Sequence, residues 1–448
     1  MFGSRGDNLR FPLLLSISYD NLPILLFDGP RKLLLDLMQS KSFANSDWLR
    51  RLSESHSKAS ELLGKSQAEQ ERQGYFHTLR EICQQPESWI RTSEQMLSSA
   101  GALKHCVAGI ANLVLTGSGS SEFVGECVRL VLQHELGVTA QTIGGGNLLT
   151  CGSRALPQER PALVLSMARS GDSPESAGAL SLLLEEEPRI RHLVLTCNEK
   201  GRLAEGFRGH PQVTVITLPD GTNDRSLVMT SSFTNLVLAA RFLGLLHAPK
   251  EYEDLCLKLS RVATGLIETH FGTLARAATL RFRRVVYLGS GSRFGAAREA
   301  ALKMLEMTSG RVSTLCETYL GFRHGPMSFA HTDALIVCFL SSDPMLRAYE
   351  SDLLSELDQK ELGLAKLVVG ENIPASLARK NDFIIECPAL AEVGDDNAPV
   401  IDVIVGQLLA FFRCLEEGLH PDLPSEGGVI NRVVPSFTLH YPTGAKPV

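Results

Sequence analysis

The sequence is poor in several signals that mark large functional classes. Its ten cysteines run from Cys83 to Cys414 without a CxxC pair or a tight cluster, which argues against a disulfide framework and against a cysteine zinc site. Several sit in apolar runs (Cys197, Cys338, Cys414), the pattern of buried free thiols in a reducing, cytoplasmic setting. Basic residues are not in surplus: 44 Lys and Arg face 50 Asp and Glu, a net charge of −6, so nucleic acid is not an expected partner. The greasy stretch from Phe11 to Phe27 is interrupted by Asp20, Asn21 and Pro23, too broken for a membrane helix. Neither GxxxxGK[ST] nor HExxH occurs, which removes the Walker-type nucleotide loop and a common zinc motif. The twelve histidines show no paired ligand spacing, and neither a metal nor a cofactor is expected.

What is present is a long chain with an internal echo. Its 448 residues, 44% of them hydrophobic, suit two or three domains with large cores. Residues 112–131 read NLVLTGSGSSEFVGECVRLV and residues 284–303 read RVVYLGSGSRFGAAREAALK. Each is a β-branched strand, a Gly-Ser-Gly-Ser turn and an amphipathic helix. The turns begin at Gly117 and Gly289, about 170 residues apart, a period that fits duplication of a whole domain rather than a solenoid. Further strands are predicted at Ala162–Ser166, His192–Thr196 and Val213–Leu218, then at Ala334–Leu340, Ala365–Val369 and Phe383–Glu386. Strands spaced by helices predict an α/β fold of two tandem halves. Each would be a doubly wound parallel sheet that binds ligands at the strands' carboxyl ends.

Residues 1–70 read as an N-terminal extension and 71–98 as a helical lead-in, whose helical pattern already starts near Asp47, with Trp89 as an anchor. The first half spans 99–249. A bridging helix, Lys250–Leu280, opens the second half at 250–420. The tail, 421–448, is rich in Pro and Gly and ends in a predicted strand, Val433–Leu439.

Both glycine turns follow strands and open helices. Gly117 and Gly119 are followed by Glu122 where a dinucleotide fingerprint needs glycine. A second hydroxyl-rich turn, Met167-Ala168-Arg169-Ser170-Gly171-Asp172-Ser173, follows the strand Ala162–Ser166. Helix N-termini with serine hydroxyls and free N–H groups suit a phosphate monoester, although Ser170 and Ser173 could equally be helix caps. Glu299, Lys303 and Glu306 recur at i, i+4 and i+7 on one face of an Ala/Leu/Met-rich helix. By itself that is a solvated ion-pair stripe.

Taken together, GSGSSEF, SMARSGDSPES, TCNEKGRLA, LPDGTNDRSLVMTSSFT and ETYLGFRHGP resemble the SIS (sugar isomerase) superfamily. Within it the chain resembles the tagatose-6-phosphate ketose/aldose isomerases, also described as galactosamine-6-phosphate deaminase/isomerases, from about Tyr75 to Tyr441. The resemblance implies two tandem SIS domains and a homodimer or larger homo-oligomer. It also implies a sugar phosphate converted to tagatose-6-phosphate and ammonia through an enediol or enolamine. Ser118, Ser120, Ser121, Ser170 and Ser173 would form the phosphate cradle, with Arg169 and Asp172 at the same mouth. Ser290 and Ser292 of the second turn are further substrate-binding candidates. Glu306 is implied as the proton-shuttling glutamate, Lys303 as its polarising partner, and His324 as the ring-opening histidine, often supplied by the partner subunit. In the tail, which resembles an element that folds over the site, Arg432 or its neighbour Asn431 stands near the position of a family lysine.

Two departures bear on which sugar is preferred. Met327 follows His-Gly-Pro where a basic residue is expected, and Ile143-Gly144-Gly145-Gly146-Asn147 is unusually rich in glycine. The rival readings are a fructosamine-6-phosphate deglycase and a sugar-phosphate sensor without catalysis. A glutamine-dependent synthase is disfavoured, because Met1-Phe2-Gly3 offers no terminal cysteine nucleophile.

Overall fold

Ten strands form among the residues that the computed structural model describes, 47–434 and 437–440. The interrupted apolar stretch from Phe11 to Phe27 lies outside them. β1 (Asn112–Thr116), β2 (Thr139–Thr142), β3 (Ala162–Ala168), β4 (Ile190–Thr196) and β5 (Val213–Thr217) form one sheet, in the order β2-β1-β3-β4-β5. β6 (Arg284–Leu288), β7 (Ser313–Glu317), β8 (Ala334–Phe339), β9 (Ala365–Gly370) and β10 (Phe383–Glu386) form the other, in the order β7-β6-β8-β9-β10. Every pairing is parallel. The two orders are the same permutation, so the repeat read from the glycine turns is a repeat of whole topology.

Alternation along the strands decides which face meets which layer. Leu113 and Leu115 of β1, Leu163 and Leu165 of β3, Val285 and Tyr287 of β6, and Leu335 and Val337 of β8 all enter one large core. Their neighbours Val114 and Val164 enter a separate cluster on the first sheet's outer face, and Val286 and Ile336 enter another on the second. The inner faces and the helices between them therefore share a single core across both halves.

Two glycines allow the central helices to approach closely. A Cβ on Gly295 would lie 2.6 Å from the Cys127 nitrogen, and one on Gly406 would lie 2.5 Å from the Ala300 Cβ. The helix Arg293–Met307 is thereby pressed against Ser120–Leu136 and Pro399–Glu416. The bridging helix runs over Pro249–Ala278. The lead-in is a series of helices from Asp47 to Ser98. Trp48 donates its indole N–H to the Cys83 carbonyl, and Trp89 donates to Thr234 Oγ1 at 2.9 Å.

Two expectations change. β2 and β7 carry little apolar pattern, because each is an edge strand with mixed exposure. The predicted strand Val433–Leu439 is absent among its described residues: the Arg432 carbonyl just before it is taken by a side chain, that of Arg169, not by a neighbouring strand. Among the described residues, no helix is long and apolar enough to cross a membrane.

Candidate active site

In a 2-1-3-4-5 sheet the crossovers leave in opposite directions on either side of β1 and β3, and a crevice opens at their carboxyl ends. Thr116 of β1 is paired with Ser166 of β3, so the two loops leave the sheet side by side. After β1, Gly119 takes a φ of +58°, and a Cβ on Gly117 would stand 2.6 Å from Ser121. Both positions need glycine for the chain to fold straight into the helix Ser120–Leu136. After β3, the chain turns through Arg169–Ser173 into the helix Pro174–Glu186. A cleft of about 420 Å³ lies between them, lined by Ser118, Ser120, Ser121, Ser170, Ser173 and Ser176. Ser118 Oγ is buried and has no hydrogen-bond partner, an acceptor-donor left free for a ligand.

The second half supplies a carboxylate to this first-half crevice. Glu306 lines the cleft. Lys303, wholly buried, donates to Ser120 Oγ at 3.1 Å and to Glu306, and lies 3.3 Å from Glu299 Oε1. Glu299 and Lys303 are fully shielded from solvent, so the three residues are not a solvated stripe. Burial pushes the Glu299 carboxyl up to about 7, Lys303 pulling the other way. Burial opposes the charge on Lys303, but Glu299 and Glu306 outweigh it and hold the ammonium above its ordinary value. One ammonium thus links a first-half serine to two second-half carboxylates.

The tail closes the cleft's other side. Val429, Ile430, Asn431, Arg432 and Val434 line it. Arg432 donates to the Asp224 carbonyl at 2.8 Å and to Asn223 Oδ1 at 2.7 Å. Arg169 lines the cleft too, but its guanidinium holds the carbonyls of Ser226, Leu227 and Arg432. Residues not singled out from the sequence also face inward: Glu175, Leu227 and Met229. The Oε2 of Glu175 is buried without a partner; its place in the SPES motif was the only signal.

Four candidates stand elsewhere. Asp172 does not line the cleft; its carboxylate accepts from the Arg202 N–H at 3.1 Å. Ser290 donates to Glu350 at 2.6 Å and Ser292 to Asp396 at 2.7 Å. The second turn therefore has its hydroxyls bound to carboxylates of its own half. His324 is exposed, on the connection from β7 to β8, and is not among the residues lining its own chain's cleft.

No protein-family model matches the chain. Whole-chain relatives decide the matter. The AgaS protein of Streptomyces coelicolor is 36% identical over 372 residues, covering 81% of this chain and 95% of that protein. The chain belongs to the AgaS family. The D-galactosamine-6-phosphate deaminase AgaS of Escherichia coli O157:H7 is 31% identical over 370 residues, with the same two coverages. The solved tagatose-6-phosphate ketose/aldose isomerase of Escherichia coli superposes with a TM-score of 0.73 at 28% identity, covering 81% of this chain and 96% of that one. AgaS relatives are thus sugar-phosphate enzymes with two SIS-type halves, and the paired sheets described above are that architecture.

Proposed function

We propose that this chain is a cytoplasmic D-galactosamine-6-phosphate deaminase that also carries ketose/aldose isomerase chemistry. One observation supports it above all: Glu306, backed by the buried Lys303, faces the same cleft as the serine cradle. Ser118, Ser120, Ser121, Ser170 and Ser173 hold the phosphate at two helix N-termini, which fixes the far end of the sugar and supplies remote binding energy. With the ring open, Glu306 removes the C2 proton, giving an enolamine whose developing charge the Lys303 ammonium stabilises. Returning the proton to C1 leaves an imine at C2. Water adds to that imine, and ammonia departs to leave tagatose-6-phosphate. With oxygen in place of nitrogen at C2, the same two proton transfers interconvert aldose and ketose.

Ring opening calls for a group at the anomeric hydroxyl. His324, exposed and outside its own cleft, serves the cleft of a second copy, which makes a homodimer the working unit. Ten free thiols, all but Cys151 and Cys316 buried, suit a reducing compartment.

The test is ammonia release from galactosamine-6-phosphate beside glucosamine-6-phosphate. Rapid release from the galacto sugar supports the proposal; silence from folded, dimeric protein overturns it. Mixing Glu306→Gln and His324→Ala proteins, each inactive alone, should restore activity through mixed dimers with one intact site. Failure of the mixture to recover any turnover would remove the shared-site reading.

A further inference from the structure

The segment Leu218–Thr230 belongs to one of the motifs behind the family likeness, yet only Leu227 and Met229 of it line the cleft. Its shape is imposed by two buried carboxyl groups. Asp224 accepts from the N–H groups of Thr230, Ser231 and Ser232 and from the hydroxyls of Thr230 and Ser232, at 2.5–3.0 Å. That anchors the segment to the helix Ser231–Arg241. The other carboxyl comes from outside both sheets: Glu81, 7% exposed, on the lead-in helix Phe76–Cys83. It accepts from the Arg225 N–H at 2.5 Å, from the Ser226 N–H at 3.3 Å and from the Ser226 hydroxyl. With its N–H groups so held, the segment turns its carbonyls the other way. Those of Ser226 and Leu227 meet Arg169, and that of Asp224 meets Arg432.

The same helix also grips the root of the tail. Asp422 accepts from the N–H groups of His77 and Thr78 and from the Thr78 hydroxyl, at 2.7–3.1 Å. Its own carbonyl accepts from Leu227 at 3.0 Å. One short helix therefore braces both pieces of chain that wall the cleft opposite the serines.

We infer that Glu81 is a positioning residue for substrate binding: it holds Asn223–Met229 so that Leu227, Met229 and the Arg169–Arg432 pair form the cleft's wall. The inference rests on the proposed activity for its kinetic arm alone. Burial, and after it the Asp224 carboxylate, pushes Glu81 up to about 8. Glutamine keeps the side-chain oxygen that accepts from the Arg225 and Ser226 N–H groups and is its close substitute.

The experiment compares Glu81→Ala, Glu81→Gln and Ser88→Ala. The last removes a buried hydroxyl on the next lead-in helix that Asn235 uses, a loss of stability that leaves the Glu81 and Asp224 bonds to the segment in place. Glu81→Ala should raise KM for galactosamine-6-phosphate at least tenfold and change kcat less. It should speed amide hydrogen exchange in 224–229 and 428–434 while the rest of the chain keeps its rates. Glu81→Gln should restore both to within about threefold, and Ser88→Ala should leave KM alone. Unchanged exchange in those two segments, or faster exchange spread evenly over the chain, overturns the inference. The exchange arm decides even if the enzyme releases no ammonia, so failure of the activity and failure of the positioning role are told apart.

Discussion

Replacing Lys303 with methionine removes the ammonium that stands between Glu299 and Glu306 and keeps nearly the same volume. Breaking a buried pair by deleting one partner costs about 3–5 kcal/mol, because the remaining charge is left without compensation. Glu299 has an escape, since it can take a proton. Keeping a carboxyl of ordinary pKa 4.5 neutral at pH 7 costs about 1.4 kcal/mol per pH unit, or about 3.4 kcal/mol. Wild type already bears nearly all of that cost at pH 7, because Glu299 stands at about 7 with Lys303 in place, so the added loss is small at and below pH 7 and grows by up to about 1.4 kcal/mol for each pH unit above it. Turnover should fall at least about 100-fold, the usual scale for proton-transfer groups. In the double variant Glu299→Gln/Lys303→Met the orphaned charge is gone, so stability should return while turnover stays low. Urea unfolding at pH 7.0 and 9.0, beside ammonia release, reads both effects. The reasoning fails if Lys303→Met is as stable as wild type at pH 9, or if the double variant regains turnover.

Four further perturbations follow from the geometry. On the proposed phosphate cradle, Ser118→Ala would remove a hydrogen bond to a charged group, worth about 1.5–3 kcal/mol, so KM should rise roughly 10- to 100-fold. Ser290→Ala, whose hydroxyl faces Glu350, should leave KM within about twofold. Gly295→Val would drive side-chain carbon into Cys127, forcing apart the helices that carry Glu306 and the serines. Steady-state assays should show lower kcat, and unfolding a loss of about 1–3 kcal/mol. His192 is buried with both ring nitrogens unpartnered, and burial takes its pKa from 6.5 down to about 3. The unfolded chain therefore binds the extra proton between pH 6.5 and 3. Stability is intact above 6.5 and falls by up to about 1.4 kcal/mol per unit as pH drops through that window. His192→Leu should shift the acid-unfolding midpoint, followed by circular dichroism, to lower pH.

How much of this was legible in the sequence depends on how local each signal is. The glycine turns, the central strands and the serines that line the cleft were readable because a strand, a tight turn and a helix start are written in a few adjacent residues. Edge strands β2 and β7 were not, since an edge exposes part of its side chains and loses the apolar pattern. The repeated Gly-Ser-Gly-Ser turn pointed equally to Ser118 and Ser290. What separates them is a carboxylate 60 residues beyond Ser290, and no spacing within the turn reveals it. Asp172 was expected at the cleft's mouth, and its bond to the Arg202 N–H is visible only in the fold. The stripe Glu299, Lys303, Glu306 looked like a solvated face on spacing alone; burial by two neighbouring helices makes it part of a site. Glu81 gave no signal because its partners lie about 145 residues away.

The most direct test of Glu306 as the group that moves the C2 proton is Glu306→Gln, which keeps shape and removes the base. Binding of galactosamine-6-phosphate, followed by calorimetry, should stay within about threefold, because the serine cradle is untouched. Ammonia release should fall by about 100-fold to 10,000-fold. Turnover within tenfold of wild type would contradict the assignment, as would a binding loss large enough to account for the missing rate.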